Sequence, residues 1–178
     1  MKIQQKRFYL FSLGAVLCLS AGLVLFYLPL KRCLVIDSME DKKLIAYIEL
    51  GKTDSFQIQY THSIHLSEVK ESYRIKENND IEQVELMYSD TAIGMPANAE
   101  KGETFEMKDG EYFIRNMKRE FPFIPLSVGQ VAANHRLLFQ GKVYPLKNYV
   151  KPGSIIKIDV RKLSIWDLWK GVNILGKR

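Results

Sequence analysis

The chain has 178 residues, with 26 basic and 20 acidic side chains and a formal net charge of +6. Five of the basic residues flank an N-terminal apolar run, so residues 33–178 carry 21 basic and 20 acidic side chains, a net charge of +1. A domain this close to neutrality, with no recognition motif, lacks the basic surface expected of a nucleic-acid-binding protein. The two cysteines, Cys18 and Cys33, lie within that run and near its end, so the later residues hold no pair for a disulfide.

Residues 8–30 form an unbroken apolar run of 23 residues. About 20 apolar residues are enough to cross a hydrocarbon core of about 30 Å. We therefore predict a transmembrane anchor within residues 1–32, followed by one domain over residues 33–178. A cleaved secretory signal is the alternative, with its cleavage site near Ser20-Ala21-Gly22, but the apolar residues continue beyond that point.

The basic residues around the span bear on its orientation. Lys2, Lys6 and Arg7 favour a cytoplasmic N-terminus, whereas Lys31 and Arg32 weaken that preference. Because the span comes first and resembles a signal, we expect a single-pass protein of the cell membrane with its domain on the extracytoplasmic side.

Most of the domain has the pattern of short strands. Apolar or alternating segments, typical of strands with one buried face, occupy residues 33–36, 43–50, 56–64, 69–75, 81–88 and 154–160. Asp109-Gly110 and Gln140-Gly141 predict two hairpins, and residues 89–102 predict a long loop. Eight or nine short strands predict a mainly β domain, an antiparallel sandwich or a barrel.

The C-terminal segment, residues 163–175, differs from the rest. Its apolar residues recur at helical spacing, which predicts a short amphipathic helix. Trp166 and Trp169, next to Lys170, suit a helix that lies on a membrane interface. A helix that covers the core of the domain explains the same pattern.

Charge is unevenly distributed along the domain. Residues 33–111 contain 17 acidic and 8 basic side chains, a net charge of −9, and residues 112–178 contain 3 acidic and 13 basic side chains, a net charge of +10. The two halves either neutralise each other when they pack together or leave a basic surface for anionic lipid or an acidic partner.

Two consecutive alternating segments place four polar side chains on one otherwise apolar face: Tyr60, His62, Glu71 and Tyr73. If the segments form a hairpin that turns at residues 66–67, His62 lies opposite Glu71 and Tyr60 lies opposite Tyr73. Such a pair could be a buried structural contact that fixes the strand register, a ligand-binding site at the mouth of a barrel, or a catalytic pair.

Other chemistry has little support in the sequence. No cluster of cysteines and histidines has zinc-ligand spacing, so we predict no metal site. We find no nucleophile elbow and no glycine-rich phosphate loop, so we predict no catalytic residue, no cofactor and no enzyme activity.

A set of motifs occurs along the domain: residues 60–63 (Tyr-Thr-His-Ser), Val69, Glu71 and Tyr73, residues 94–96 (Gly-Met-Pro), residues 126–129 (Leu-Ser-Val-Gly) and the closing strand 155–160. Together they resemble a bacterial family known as domain of unknown function 1850, over roughly residues 33–160. This resemblance implies a small secreted or singly anchored protein, commonly encoded beside tripartite ATP-independent periplasmic (TRAP) transporters of the TAXI type.

The resemblance therefore implies a non-catalytic accessory protein of a solute transporter, which contacts the permease or its solute-binding protein. The alternative is an independent module at the cell surface that binds a small molecule or an ion on the face of Tyr60, His62, Glu71 and Tyr73.

Overall fold

The computed structural model describes residues 2–62, 66–89, 96, 98–130 and 132–176. The chain begins with helix α1 (Lys2–Tyr27). Its segment Leu10–Tyr27 has a mean hydropathy of 2.2 and none of it is buried against the domain, so α1 is long and apolar enough to cross a membrane. The helix ends two residues before Pro29, because a residue that precedes proline disfavours helical backbone.

Five strands form the first sheet, in the spatial order β12-β2-β1-β11-β8. These strands are β1 (Lys31–Ser38), β2 (Leu44–Glu49), β8 (Ile124–Ser127), β11 (Ile155–Leu163) and β12 (Val172–Asn173). Neighbouring strands are antiparallel except β12, which pairs in parallel with β2. We call this the five-stranded sheet.

Seven strands form the second sheet, in the spatial order β10-β9-β3-β4-β5-β7-β6. They are β3 (Ser55–Thr61), β4 (Glu68–Ile75), β5 (Ile81–Tyr88), β6 (Thr104–Lys108), β7 (Glu111–Phe121), β9 (Arg136–Phe139) and β10 (Lys142–Pro145). All its pairs are antiparallel. The predicted hairpins at Asp109-Gly110 and Gln140-Gly141 are confirmed as the connections β6–β7 and β9–β10.

The two sheets pack face to face around one main core. Its fully buried side chains come from both sheets, among them Leu34, Ile48, Ile58, Leu137 and Ile158. The sheets do not close on each other, so the mainly β prediction is confirmed in its sandwich form and not as a barrel.

The predicted C-terminal helix is confirmed, but its predicted extent over residues 163–175 is wrong. Helix α2 covers only Ile165–Lys170 and begins with a capping box between Ser164 and Asp167. It ends at Gly171, where an added Cβ would lie 2.8 Å from the side chain of Leu44. The chain then forms β12, and Ile174 is buried in the main core.

Ion pairs join the acidic and the basic halves of the chain. Arg161 pairs with Asp37 across β1 and β11, with 2.8 Å between Nη1 and Oδ2. Arg119 pairs with Glu103, with 3.1 Å between Nε and Oε1, and Arg115 pairs with Glu85 and Glu106. The packing of the two halves therefore neutralises much of the charge polarity in the sequence.

Candidate functional site

A cavity of about 460 Å³ lies between the inner face of the seven-stranded sheet and β8 at the edge of the five-stranded sheet. We call it the site cavity. The residues that line it are Tyr60, Glu71, Tyr73, Gln83, Phe121, Ile124, Pro125, Leu126 and His135. Pro125 is exposed, so the cavity reaches the protein surface.

The path of the chain explains where this cavity forms. The chain leaves the seven-stranded sheet at Phe121 and enters the five-stranded sheet at Ile124, so this corner closes one side of the cavity. The opposite wall consists of side chains on the inner faces of β3, β4 and β5. Tyr73 on β4 lies opposite Gln83 on β5, which places both polar side chains in the same wall.

The structure brings together three of the four predicted site residues: Tyr60, Glu71 and Tyr73. His62 is not among the residues that line the cavity. The predicted register is wrong, because Glu71 lies opposite Ile58 and Tyr73 lies opposite Phe56. The connection between the strands is longer than a two-residue turn, since the backbone N–H of His62 donates to the Ser67 carbonyl at 2.8 Å.

Glu71 is the central acidic group of the cavity. The hydroxyl of Tyr73 donates a hydrogen bond to Glu71 Oε2 at 2.6 Å, and the hydroxyl of Tyr60 is a second donor to this carboxylate. Burial raises the pKa of the Glu71 carboxyl, and the two tyrosine hydrogen bonds partly oppose this rise. Among the described residues no lysine, arginine or histidine forms an ion pair with Glu71.

The same interactions act on the tyrosines. Burial and then the nearby Glu71 carboxylate raise the pKa of Tyr60 to about 12, and the pKa of Tyr73 is raised for the same reasons. Both hydroxyls therefore stay protonated at neutral pH and remain hydrogen-bond donors to Glu71.

The histidine of the cavity is His135, which was not among the predicted site residues. Its Nδ1 accepts a hydrogen bond from the backbone N–H of Gly129 at 3.2 Å, so in the neutral ring the proton lies on Nε2. Burial lowers the pKa of His135, which favours this neutral form. Its ring packs against Tyr60 with 5.2 Å between centroids.

A signal in the sequence could have identified His135. It alternates with Leu137 and Phe139, and all three side chains are buried. Because alternate residues of a strand share a face, the pattern extends the inner face of β9 back to His135. Gln83, only 7% exposed, follows the same rule with Ile81 on β5.

A second cavity, of about 400 Å³, lies near the β9–β10 turn. Four of its polar side chains already pair with one another: Gln57 donates to Ser72 Oγ at 3.0 Å, and Gln140 donates to Thr53 Oγ1 at 2.7 Å. Because the site cavity holds a carboxylate without an ion-pair partner among the described residues, it is the better candidate for ligand binding.

The site cavity contains few groups suited to covalent or metal chemistry. None of its described lining residues is a serine, cysteine or lysine. The described part of the chain contains no group of three or more histidine, cysteine, aspartate or glutamate residues that could hold a metal ion. Its carboxylate, hydroxyl, amide and imidazole groups are suited to hydrogen bonding and charge pairing.

The fold and the site cavity define a small β-sandwich protein with a polar cavity between its sheets, preceded by a helix that is apolar enough to cross a membrane. The family model described as Domain of unknown function (DUF1850) matches residues 56–146, just over half of the 178 residues, and the chain belongs to this family. All the residues that line the site cavity lie within the match, whereas α1, β1, β11 and α2 lie outside it. No curated protein and no solved structure matches the chain.

Proposed function

We propose that this protein is a non-catalytic binding module that α1 anchors in the cell membrane, with the β-sandwich on the extracytoplasmic side. Its ligand is a small molecule that enters the site cavity. One observation carries this proposal: Glu71 lies in a cavity that reaches the surface, and no ion-pair partner neutralises it among the described residues.

The lining chemistry favours a ligand with an amine or ammonium group. Even a partly buried carboxylate such as Glu71 is costly unless a positive charge or hydrogen bonds compensate it. Tyr60 and Tyr73 supply two hydrogen bonds, and a cationic ligand would supply the missing charge. The aromatic rings of Tyr60, Tyr73 and Phe121 add surfaces that attract cations.

A panel of small primary and quaternary amines, with carboxylates of matched size, tests this proposal. Thermal unfolding of the full chain in detergent micelles, followed by circular dichroism, measures the stabilisation. A ligand at 100 times its dissociation constant stabilises the folded state by about 2.7 kcal/mol. We expect some amines to raise the unfolding temperature and the matched carboxylates to leave it unchanged.

Two variants test whether the stabilisation by amines depends on the charge of Glu71. Glu71→Gln removes the charge from the cavity and should abolish the stabilisation. Glu77→Gln changes an exposed glutamate in the turn between β4 and β5, and should preserve the stabilisation. A stabilisation that survives in Glu71→Gln, or a panel in which no amine stabilises the wild-type protein, would refute the proposal.

We propose as a second function an accessory role beside a TRAP transporter of the TAXI type, which the resemblance described in the sequence analysis implies. In this role the sandwich contacts the permease or its solute-binding protein. Affinity purification of the full-length protein from its own membranes, with mass spectrometry of the proteins that accompany it, tests this role. Recovery of a transporter subunit that is lost when residues 31–178 are replaced by an unrelated domain would support it, and recovery of the protein alone would contradict it.

A further inference from the structure

Helix α2 lies beside the point where α1 ends. Only three residues separate Tyr27 at the end of α1 from the first residue of β1. Within this junction the backbone N–H of Leu30 donates to the carbonyl of Leu163 at 3.1 Å. Because Leu163 is the last residue of β11 and α2 begins at Ile165, this bond holds α2 at the end of the long helix.

Aromatic side chains connect the two helices. Trp166 lies 5.9 Å from Phe26 and 6.1 Å from Tyr27, measured between ring centroids. Trp169 stacks on Trp166 at 5.4 Å. The four rings therefore form a continuous aromatic cluster from the last turn of α1 to α2.

One face of α2 is fixed against the domain. Leu168 packs on the outer face of the five-stranded sheet, against a buried cluster that includes Cys33, Val35, Tyr47 and Leu163. The capping box at Ser164 fixes where the helix begins, directly after β11.

The side of α2 next to Leu168 is apolar and exposed. Trp169 is 74% exposed, Ile165 is 51% exposed, and Val172 just after the helix is 50% exposed. Large exposed apolar side chains that cluster in this way indicate an interaction surface. We call these three residues the α2 apolar face.

We propose that the α2 apolar face lies in the headgroup layer of the same bilayer that α1 crosses. This inference rests on the anchoring role proposed for α1. If α1 crosses the bilayer, its last turn lies near the boundary of the hydrocarbon core, and the ring contacts of Phe26 and Tyr27 then place Trp166 at that boundary. Tryptophan is enriched at membrane interfaces, where an apolar ring with one polar group is favoured.

Basic side chains beside the α2 apolar face favour lipid, and not a protein partner, as its occupant. Lys170 Nζ lies 4.3 Å from the centroid of the Trp166 ring. Lys31 begins the strand next to the junction, and it also pairs with Glu49, with 3.5 Å between Nζ and Oε2. Basic side chains beside interfacial tryptophans suit the phosphate groups of lipids. The domain therefore rests on the bilayer through α2, and this contact fixes its tilt.

The intrinsic fluorescence of the protein tests this inference, because Trp166 and Trp169 are the two tryptophans of the chain. The full chain is placed in nanodiscs of phosphatidylcholine and phosphatidylglycerol whose acyl chains carry bromine either near the headgroup or near the bilayer centre. We expect Trp169 in the Trp166→Phe variant to be quenched several-fold more strongly by the shallow bromines than by the deep ones.

A matched control replaces both tryptophans with phenylalanine and the exposed Met107 on β6 with tryptophan. Its fluorescence should not respond to brominated lipid, because Met107 lies at the β6–β7 hairpin, whereas Arg32 beside the junction bonds Asn79 at the other end of the seven-stranded sheet. An Ile165→Glu variant should reduce the quenching of Trp169 and leave the β circular dichroism unchanged.

Extraction with alkaline carbonate separates failure of this inference from failure of the anchoring proposal. If carbonate releases the protein, α1 is not inserted and the anchoring proposal fails. If the protein resists extraction but brominated lipid does not quench Trp169, the α2 apolar face does not contact lipid. Tryptophan emission that depends on the number of proteins in each nanodisc, and not on bromine, would show that a second copy covers the face.

Discussion

The hydroxyl of Tyr73 is the best single atom with which to test the electrostatics of the site cavity. Tyr73→Phe removes the donor that lies 2.6 Å from Glu71 Oε2 and keeps the ring, which is 5% exposed and stacks on Phe56 at 5.1 Å. The variant therefore changes the hydrogen bond and preserves the packing.

The expected cost depends on the charge of Glu71. A hydrogen bond to a charged group contributes about 1.5–3 kcal/mol, and a bond between neutral groups contributes about 0.5–1.5 kcal/mol. Loss of the Tyr73 hydroxyl should thus lower the free energy of unfolding by about 2 kcal/mol where Glu71 is ionised, and by about 1 kcal/mol where it is protonated. Because the lost bond favours the carboxylate, the pKa of Glu71 should rise further in the variant.

Urea unfolding of the full chain in detergent micelles, followed by circular dichroism, measures this difference at two pH values. One is mildly alkaline, and the other is near the ordinary pKa of glutamic acid. His135 also titrates in this range, but it is present in both proteins and its contribution largely cancels. Tyr144→Phe is the matched control, because the Tyr144 ring packs against the core and its hydroxyl makes no hydrogen bond to a described residue. Equal losses at both pH values, or a larger loss in acid, would refute the assigned role of Glu71.

Glu71→Gln should flatten the pH dependence of stability. The folded state holds the Glu71 proton more tightly than the unfolded state, so wild-type stability falls as pH rises from the ordinary pKa of glutamate through the raised one; urea unfolding at several pH values measures the difference. Leu137→Ala should lower the free energy of unfolding by about 2–5 kcal/mol, since Leu137 is fully buried in the main core; the midpoint of urea unfolding checks this. Gly129→Ala should lower the unfolding temperature, because the new Cβ would lie 2.4 Å from Cβ of Ala133 beside the bond to His135; a variant as stable as the wild type would contradict the contact. Cys33 should resist iodoacetamide until the protein is unfolded, because burial raises its thiol pKa to about 12; mass spectrometry of the labelled peptide follows the reaction.

Alternation in the sequence identified the inner faces of β3 and β4 correctly, and it placed Tyr60, Glu71 and Tyr73 on one surface. It could not determine the register, that is, which residues of the two strands lie opposite each other. A shift by an even number of residues preserves the face and changes every partner, so only the length of the connection decides the register. That connection is longer than a two-residue turn, which removes His62 from the position opposite Glu71.

His135 shows that a local pattern can place a side chain on an inner face without showing which distant residue it contacts. It lies far from Tyr60 in sequence, and the antiparallel pairing of β3 with β9 brings the two rings together. A different limit applies to the C-terminal segment. Helical spacing predicted one apolar face for Leu168 and Trp169, yet Leu168 packs on the sheet and Trp169 is exposed. The helix ends at Gly171, whose backbone is extended and which lies close to Leu44, a tertiary contact that the spacing of apolar residues does not reveal.

The three-residue junction between α1 and β1 limits what the domain can reach. A domain on a long flexible tether explores a wide volume above its membrane, but this domain continues directly from its anchor, and Leu30 is also bonded to Leu163. If α1 is inserted as proposed, the site cavity stays at a constant height above the lipid. The protein would then search for a partner in two dimensions, by lateral diffusion, and would recognise only surfaces that other membrane-bound proteins present at that height.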